Sequence, residues 1–498
     1  MTDTSLPLPQ QLYRAEQVRE LDRIAIKDYK IPGLTLMQRA GKAAFQTLQS
    51  TWPDAKNIIV LCGVGNNGGD GYVLAKLAHA AGKNISLMQI GDPEKLKGDA
   101  RLAADEFSTT GIPVASFAAE QLGKADVLVD AVLGTGLDRK VTGDIENVIT
   151  AINHSNVPVL AIDIPSGMNA DTGQPMGCAV MASVTISFIG LKQGMFTGEG
   201  QTHSGKILFD DLGVPKDIYE AVPAATIRIN LASLQSLLPK RPKSAHKGHY
   251  GHVLVIGGDS GYTGAVIMAG EAAARSGAGL VSIATRTEHA AVISTKRPEL
   301  MAHGVETPKQ LSALLDKVNV VAVGPGLGQS QWAQALFSRV LEARLPVVVD
   351  ADALNLLALD PLHHDNWVLT PHPGEAARLL NCKTSDIQAD RFTAIKEIQQ
   401  QYGGVIVLKG NGTLIFNRSG EMALCDSGNP GMATGGMGDV LTGVIAGLLA
   451  QGLNQDTAAC LGVCLHASAA DMAAGNGERG LLATDLMAPL HSLVNLER

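Results

Sequence analysis

Short runs of β-branched residues alternate with stretches rich in alanine and leucine along almost the whole chain. This alternation is typical of βαβ units, in which helices connect the parallel strands of a buried sheet. We therefore predict an α/β fold throughout. The predicted strands are residues 57–62, 85–90, 127–132, 159–164 and 184–188 in the first half, and 252–256, 280–284, 318–323, 347–349, 367–369 and 405–408 in the second.

The strand and helix pattern breaks down between the two halves. Residues 212–225 hold two prolines and no sustained period, and residues 239–251 are polar and cationic. We place the boundary near residues 215–230 and predict two tandem domains, 1–222 and 223–498. The halves do not repeat each other's motifs, so they are expected to be unlike units joined in one chain. Open parallel sheets bind ligands at the carboxyl ends of their strands, so each domain should have its own site.

Charge and composition exclude several partners. The 40 lysines and arginines against 48 aspartates and glutamates give a net charge of −8, and aromatic residues are only 4%. This balance does not favour a nucleic-acid surface. The first residues lack the pattern of a secretory signal, and the longest apolar run, 440–453, is shorter than a membrane span and is predicted to be a buried helix. Six cysteines without a CxxC pair indicate free thiols, so we expect a cytoplasmic protein that binds no membrane.

A glycine-rich loop, GVGNNGGDG at residues 63–71, follows the first predicted strand and precedes a helical run. Glycines let backbone amides approach an anion, and a helix N-terminus adds partial positive charge, so a phosphate-bearing ligand is expected here. The loop also satisfies GxGxxG, with Asp92 about 24 residues beyond, which leaves a dinucleotide dehydrogenase open. The alternative is a tight strand-to-helix turn in which Asp70 caps the helix.

Two aspartates stand at the ends of later strands in the first half. Asp130 opens DAVLGTG and Asp163 opens DIPSG. A carboxylate next to a buried strand is unfavourable unless it is paired, coordinated or catalytic, so both are candidate site residues. The alternatives are a loop cap for Asp130 and a turn for Asp163. Residues 200–206 look like a P-loop, but Ile207 stands where a magnesium-binding Ser or Thr is needed, and we reject that interpretation.

In the second half, GNPGMATGGMGDVL at residues 428–441 leads into the long apolar run. Amides at a glycine-rich helix start can hold phosphate charge while a carboxylate accepts a hydroxyl proton, as phosphoryl transfer requires. Asp439 is the candidate base. Its alternative role is to complement the helix dipole.

Other strand ends of the second half carry further candidates. Lys409–Thr413 (KGNGT) offers a loop for nucleotide phosphate or, alternatively, a simple hairpin turn. His372 lies between two prolines, where a rigid loop can orient an imidazole. The histidines at 246, 249 and 252 have metal-like spacing but no cysteine or acidic support, so zinc is not expected there.

The motifs GVGNNGGDG, DAVLGTG and DIPSG resemble those of the NAD(P)H-hydrate epimerase family, over roughly residues 10–215. The resemblance implies that Asp163 faces the damaged nicotinamide ring as acid or base. It implies a potassium site at Asn67, Asp130 and Ser166, which are oxygen donors suited to a hard cation. The implied contacts of the hydrated dinucleotide are Asn66, Asn67, Gly68, Gly69, Asp70, Gly134, Thr135, Gly136, Leu137, Asp138, Arg139, Lys140 and Asp163.

The motifs GGDSGYTGA, GPGLG, DADALN, TPHPGE, KGNGT and GGMGDVL resemble the ADP-dependent NAD(P)H-hydrate dehydratase family, a ribokinase-like branch, over about residues 230–495. The resemblance implies hydrate contacts at Ala265, Gly326, His372 and Asp439. It implies adenine-nucleotide contacts at Lys409, Gly410, Asn411, Gly412, Thr413 and Gly438.

Together the resemblances imply a Rossmann-like three-layer sandwich followed by a ribokinase-like domain. The first would epimerise R and S hydrates of NADH and NADPH, and the second would dehydrate the S hydrate with ADP, giving AMP and phosphate. Potassium and magnesium are the implied cofactors, ADP the co-substrate and a homo-oligomer the expected assembly. The alternative is a ribokinase-like small-molecule kinase fused to a dinucleotide-binding or sensor module, because a fold does not assign a substrate.

Overall fold

A computed structural model describes residues 8–238 and 240–495 of the chain. The chain folds into two compact units, Met1–Ile227 and Arg228–Arg498. The α/β class predicted from the strand and helix alternation is confirmed in both. The finer division into functional domains at residues 222 and 223 stays a prediction.

Unit 1 is built on a seven-stranded parallel sheet in the order β4-β3-β2-β5-β6-β7-β9. A small ribbon pairs β1 with β8 and β10. The strands are Gln11–Tyr13 (β1), Asn57–Cys62 (β2), Asn84–Gln89 (β3), Val114–Ser116 (β4), Val127–Ala131 (β5), Val159–Ile162 (β6), Val184–Phe188 (β7), Leu191–Lys192 (β8), Lys206–Asp210 (β9) and Thr226–Ile229 (β10), the last continuing into unit 2. The helices are Ala15–Lys27 (α1), Gly33–Thr51 (α2), Asn66–Ala80 (α3), Gly98–Ser108 (α4), Asp144–His154 (α5), Gly200–Ser204 (α6) and Asp217–Ala221 (α7), with 3₁₀ turns at Pro93–Lys95, Ala119–Lys124 and Gln193–Phe196.

The strand order of unit 1 reverses direction between β2 and β5. From β2 the chain moves to β3 and β4 on one side, and from β5 to β6, β7 and β9 on the other. Loops leaving the two sides separate at this point and open a crevice at the carboxyl edge of the sheet. The glycine-rich loop after β2 and the Asp130 motif at the end of β5 meet there.

Unit 2 has a larger sheet in the order β13-β12-β11-β14-β15-β16-β17-β18-β19, parallel up to β17 and antiparallel beyond it. The strands are His252–Ile256 (β11), Leu280–Thr285 (β12), Met301–Gly304 (β13), Val320–Val323 (β14), Val347–Val349 (β15), Trp367–Leu369 (β16), Val405–Leu408 (β17), Thr413–Phe416 (β18) and Met422–Cys425 (β19). The helices are Leu231–Leu234 (α8), Thr263–Arg275 (α9), Thr287–Lys296 (α10), Pro308–Leu315 (α11), Gln331–Leu341 (α12), Ala351–Leu359 (α13), Pro373–Leu379 (α14), Thr384–Ala389 (α15), Arg391–Tyr402 (α16), Met437–Ala450 (α17), Gln455–Ala473 (α18) and Met487–Leu493 (α19), with 3₁₀ turns at Gln235–Leu237, Lys247–Tyr250, Pro430–Met432, Ala474–Asn476 and Ala483–Leu486.

Helix α17 explains the long apolar run of the second half. From Val440 to Ala450 its residues are all buried, because the helix lies between α9, α18 and the central strands of the sheet. A helix surrounded by protein on all sides has no polar face, as the run of residues predicts. One helical stretch in the described part of the chain, Gln455–Asn476, is long and apolar enough to cross a membrane, but 61% of its apolar window is buried within the fold.

Candidate active sites

The glycine-rich loop of unit 1 packs very closely against the residues that follow β5. A Cβ at Gly63 would lie 1.9 Å from the Val132 carbonyl oxygen, so only glycine fits there. At Gly65, by contrast, a Cβ would meet nothing within 4 Å. Gly65 is the N-cap of α3, which begins at Asn66. The start of α3, with amides that lack partners within the helix, therefore stands beside open space.

That space is a cavity of about 980 Å³ at the carboxyl edge of the unit 1 sheet. Among the predicted contacts, two groups of residues line it: those at the start of α3 and those in the loop after β5. These lining residues are Asn66, Asn67, Asp70, Gly134, Thr135, Gly136, Leu137, Asp138, Arg139, Lys140 and Asp163. Gly68 and Gly69 are buried instead, where a Cβ would lie 2.0 Å from the Gly63 carbonyl oxygen and 2.6 Å from Met37. The structure gives these two glycines a packing role.

Asp163 makes an ion pair that sequence reasoning did not anticipate. The Lys192 ammonium donates a hydrogen bond to Asp163 Oδ1, and it also donates to Ser187 Oγ at 3.0 Å. The Lys192 side chain is fully buried, whereas that of Asp163 is 16% exposed. Asp163 has a positive φ of 68°, which L-residues rarely adopt, so the turn after β6 is held by its surroundings. The arrangement fixes a carboxylate at the cavity wall with a lysine behind it.

Two further carboxylates of this cavity, those of Asp22 and Asp70, lie in the electrostatic field of Asp163. Asp22 comes from α1 and Asp70 from the first turns of α3. Burial, and then the negative charge of Asp163, raise the pKa of Asp22 to about 6, and the same causes raise the pKa of Asp70 well above its usual range. Asp22, Asp70 and Asp163 thus form a cluster of carboxylates in the cavity, with the buried Lys192 paired to Asp163.

The three residues predicted to bind potassium come together below the cavity. Ser166 Oγ donates to Asp130 Oδ1 at 2.6 Å, and the Ser166 amide donates to Asp130 Oδ2 at 2.8 Å. Asn67 Nδ2 donates to the Leu133 carbonyl oxygen at 2.9 Å, while the Leu133 amide donates to Ser166 Oγ at 2.7 Å. Asn67 Oδ1 is buried and has no hydrogen-bond partner in the described part of the chain. Burial raises the pKa of the fully buried Asp130 to about 6.

In unit 2 the sequence motifs converge on one buried ion pair. Lys409, just after β17, donates from Nζ to Asp350 Oδ1 at 2.7 Å. Thr442 Oγ1, from α17, donates to the other oxygen of Asp350 at 2.8 Å. Lys409 Nζ also lies 3.7 Å from Glu375 Oε2. A Cβ at Gly438 would lie 3.2 Å from Lys409 Nζ, so the start of α17 sits directly against this pair.

Asp439 lies in the first turn of α17, next to the ion pair. Burial is the main cause that raises the pKa of Asp439 to about 7, with contributions from Asp350, Asp352 and Glu375 that outweigh Lys409. A carboxyl with a pKa near neutrality is suited to take up a proton during a reaction. This environment supports the role expected for Asp439.

The residues of unit 2 that are predicted to contact the hydrate lie at the same carboxyl edge of the sheet. A Cβ at Gly326, whose φ is +56°, would lie 2.6 Å from the Cβ of Tyr262 and 3.2 Å from the Cβ of Ala265, so the first two predicted contacts are neighbours. His372 is the N-cap of α14, and its Nδ1 accepts a hydrogen bond from the Gly374 amide at 2.9 Å. Burial, and then the charge of Lys409, lower the pKa of His372. A neutral imidazole therefore stands at this edge.

The KGNGT segment is the turn between antiparallel β17 and β18. Its backbone is held from beneath by Arg391 of α16, which donates to the Asn411 carbonyl oxygen at 2.6 Å and to the Leu408 carbonyl oxygen at 3.0 Å. Arg391 is 1% exposed. The hairpin alternative was therefore correct as a description of the backbone, and the turn still presents the predicted nucleotide residues Lys409, Gly410, Asn411, Gly412 and Thr413 at the carboxyl edge.

His246, His249 and His252 do not come together at one site. His246 and His249 stack with ring centroids 3.7 Å apart, while His252 Nε2 lies 2.9 Å from Ser282 Oγ. Within residues 8–238 and 240–495, no group of three or more histidines, cysteines or acids is arranged to hold a metal.

Sequence reasoning missed several residues of these sites. Asp350 directly follows a buried strand, which is the same pattern that pointed to Asp130 and Asp163. It is also the first residue of the DADALN motif. Lys192 is a charge within an otherwise apolar stretch after β7, which is also a usable signal. Asp22 lies on an amphipathic helix, and nothing in the sequence around it distinguishes it from a surface acid.

Comparisons with known proteins assign both halves of the chain to known families. Residues 253–491 match a family model described as NAD(P)H-hydrate dehydratase, and residues 33–194 match one described as YjeF-related protein N-terminus. Unit 2 is similar to a solved ribokinase-like superfamily protein from Enterococcus faecalis, with 31% identity and a TM-score of 0.50 over 54% of this chain and 94% of that one. A hypothetical protein from Streptococcus mutans gives 32% identity and a TM-score of 0.51 over 54% and 98%. The ribokinase-like assignment is confirmed.

Full-length relatives extend the match across both units. The bifunctional NAD(P)H-hydrate repair enzyme of Coxiella burnetii is 50% identical over 485 residues, covering 97% of this chain and 99% of that protein. The enzyme of the same name from Escherichia coli K12 is 43% identical, covering 100% and 96%. With both motif sets in place at two separate strand-edge sites, the chain belongs to the family of bifunctional NAD(P)H-hydrate repair enzymes.

Proposed function

We propose that unit 1 interconverts the R and S hydrates of NADH and NADPH, and that unit 2 dehydrates the S hydrate with ADP to give NAD(P)H, AMP and phosphate. The observation that carries this division is the presence of one carboxylate-centred site in each unit. Asp163 with Lys192 serves the first, and Asp439 beside the Asp350–Lys409 pair serves the second.

In unit 1, epimerisation inverts the carbon that carries the hydroxyl and adjoins the ring nitrogen. The nitrogen lone pair can expel the hydroxyl as water once that group is protonated, and water then returns to the opposite face of the ring. The Asp163 carboxylate removes a proton from the returning water. The Lys192 ammonium fixes the carboxylate at the cavity wall and stabilises its negative charge.

In unit 2, the hydrate hydroxyl attacks the terminal phosphorus of ADP while Asp439 accepts its proton, and AMP leaves. The phosphorylated oxygen then departs as phosphate, and loss of a ring proton restores the dihydronicotinamide. The α17 amides and Lys409 stabilise the phosphate charge that builds up in the first step. His372, whose Nδ1 accepts a hydrogen bond from the Gly374 amide, contacts the ring or its amide.

Potassium fits the residues predicted to hold it. Among residues 8–238 and 240–495, no basic side chain pairs with the buried Asp130 carboxylate, and no donor reaches the buried Asn67 Oδ1. We propose that Asn67, Asp130 and Ser166 hold a potassium ion. A bound cation would supply the missing positive charge, while these side chains fix the loop after β5 against α3.

The described residues do not offer a ready magnesium site. Two of their acids at the unit 2 edge are occupied, Asp350 by Lys409 and Thr442, and Glu375 by Lys409 and the His372 amide, and Asp439 is already assigned as the base. We therefore assign no residue to magnesium and base no step on it.

The test uses the purified chain with each hydrate epimer, with and without ADP. We expect the R hydrate to convert to the S hydrate without ADP, and the S hydrate to return dihydronicotinamide absorbance only with ADP. No absorbance from the S hydrate with ADP would overturn the dehydratase assignment. A stable phosphorylated product released from ATP would instead favour the small-molecule kinase, and tight hydrate binding without epimer exchange would favour the sensor module.

We also propose a cytoplasmic homo-oligomer that acts on these small molecules and binds neither nucleic acid nor membrane. The acidic net charge and the free cysteines support this proposal. Light scattering of the purified chain tests the oligomeric state, and a monomer at working concentration would contradict it.

A further inference from the structure

The unit 1 cavity holds more acid groups than the proposed base requires. Asp22, Asp70 and Asp163 all line it, and Lys192 is the cation paired with one of them. The lining also includes Arg19, Lys95, Arg139 and Lys140, but Lys192 is the cation that acts on Asp22 and Asp70. Within the cluster of Asp22, Asp70, Asp163 and Lys192, ionisation of all three acids would leave two negative charges without a paired cation. Partly buried like charges resist that state, so the cluster retains protons near neutral pH.

The two remaining acids differ in their surroundings from Asp163. Asp163 Oδ1 accepts hydrogen bonds from the Lys192 ammonium and from the Phe188 amide at 3.3 Å. No hydrogen bond from the described residues reaches the carboxylate of Asp22 or Asp70. A carboxyl that faces a cavity without protein donors is available to donate its own proton to a ligand.

We propose that Asp70 is the proton donor of the epimerisation, with Asp163 as the acceptor. This assignment rests on the proposed function of unit 1. The Asp70 carboxyl protonates the hydroxyl of the hydrate, the C–O bond breaks, water leaves and the ring nitrogen shares its lone pair with the carbon. Water then adds to the other face and gives a proton to Asp163. In the reverse direction the two carboxyls exchange roles, so no outside oxidant or reductant is needed.

Position favours Asp70 over Asp22 as the donor, because Asp70 lies in the first turns of α3, among the cavity residues predicted to contact the dinucleotide. Burial and the field of Asp163 raise the pKa of both acids. The charged and titratable groups around Asp70 are Asp22 on α1, Asp163 after β6, Lys192 on β8 and the buried Cys62 thiol at the end of β2. Of these, the two carboxylates favour the protonated form of Asp70, and Lys192 opposes it.

The experiment compares Asp70→Asn with Asp22→Asn in the full chain. Epimer exchange is started from pure R hydrate without ADP and followed by chromatographic separation of the epimers. For Asp70→Asn we expect a rate about 10²- to 10⁴-fold lower, approaching the uncatalysed rate, with KM nearly unchanged. Dehydration of the S hydrate with ADP should stay at the wild-type rate, and a thermal unfolding curve that matches wild type shows that unit 1 is folded.

For Asp22→Asn we expect substantial exchange but a changed pH profile. Removing the negative charge of Asp22 makes the ionised form of Asp70 less unfavourable, so the pKa of Asp70 falls. Because the donor must be protonated, the loss of rate at high pH then begins at a lower pH than in wild type. If either acid had only a structural role, the pH at which the rate falls on the high-pH side of the profile would not change.

Three outcomes overturn the proposal. Asp70→Asn could keep exchange within about threefold of wild type, Asp22→Asn could abolish exchange while Asp70→Asn does not, or the high-pH limb could stay in place in Asp22→Asn. Failure of the proposed function would look different, because wild type itself would then not accelerate exchange over the uncatalysed rate.

Discussion

Lys409 Nζ and Asp350 Oδ1 lie 2.7 Å apart at the carboxyl edge of the unit 2 sheet, 59 residues apart in sequence. The Asp350 side chain is 2% exposed and that of Lys409 is 19% exposed. Burial opposes the charge on Asp350, but Lys409 and the Thr442 hydroxyl favour it, and the pKa of Asp350 is lowered. The pair is thus a fixed charge arrangement behind the start of α17.

This pair should be strongly coupled. Lys409→Met leaves a buried carboxylate without its cation, so we expect about 3–5 kcal/mol lower free energy of unfolding for unit 2. Adding Asp350→Asn should recover part of that loss. Urea denaturation of the single and double variants measures the coupling. As a control, the exposed pair Arg339 and Glu342 should couple by roughly 0.2–1 kcal/mol; equal coupling of both pairs would contradict the buried role.

Asp439→Asn should abolish dehydration and spare epimer exchange. Loss of a positioned base lowers the rate by about 10²- to 10⁴-fold. In wild type the dehydration rate should rise as the pH rises through about 7, because the base acts in its ionised form and burial raises the pKa of Asp439 to that value. Asp316→Asn, an exposed acid of unit 2, is the matched control. Equal loss of both activities in folded Asp439→Asn would refute the division of labour.

Lys192→Met should impair only unit 1. Without the ammonium, Asp163 loses its strongest hydrogen-bond donor and its counter-charge, so we expect epimer exchange to fall by about 10²-fold or more. Dehydration of the S hydrate with ADP should continue at the wild-type rate. Lys124→Met, an exposed lysine of the same unit, controls for the change of residue type. Unchanged exchange in Lys192→Met would show that Asp163 does not need this partner.

Potassium should stabilise unit 1 without any substrate. At a concentration ten times its Kd, a ligand of the folded state adds about 1.4 kcal/mol to the free energy of unfolding. We expect higher thermal stability in KCl than in LiCl at equal ionic strength. Asn67→Leu, which removes the unpartnered buried oxygen, should lose this difference, whereas Asn147→Leu on the exposed face of α5 should keep it. Identical melting of wild type in the two salts would argue against the site.

The strands at the centre of both sheets were predictable because they are short apolar runs with polar or glycine-rich ends. Predictions for β2, β7, β11, β15, β16 and β17 match the observed bounds. The edge strand Val114–Ser116, which is exposed throughout, was missed, and so were Thr413–Phe416 and Met422–Cys425, which are paired through a hairpin whose turn was also consistent with a ligand loop. Edge pairing depends on neighbours that the local sequence does not specify.

The site residues also fall into those that could be predicted from the sequence and those that could not. Carboxylates at strand ends could be found from the sequence, because a buried strand followed by Asp is unusual. Their partners could not, because Lys192 reaches Asp163 across 29 residues and Asp22 reaches the same cavity from α1. Such contacts arise from the strand order, which places distant loops at one edge.

Arg391 has a consequence for how a nucleotide would be received. Its guanidinium donates to main-chain carbonyl oxygens, and burial lowers its pKa only to about 10, so it stays charged at neutral pH. Within the described part of the chain it has no acidic counterpart. The tip of the β17–β18 hairpin therefore has a positive electrostatic potential before any anion binds. A diphosphate that binds there does not require side chains to move in order to create that potential.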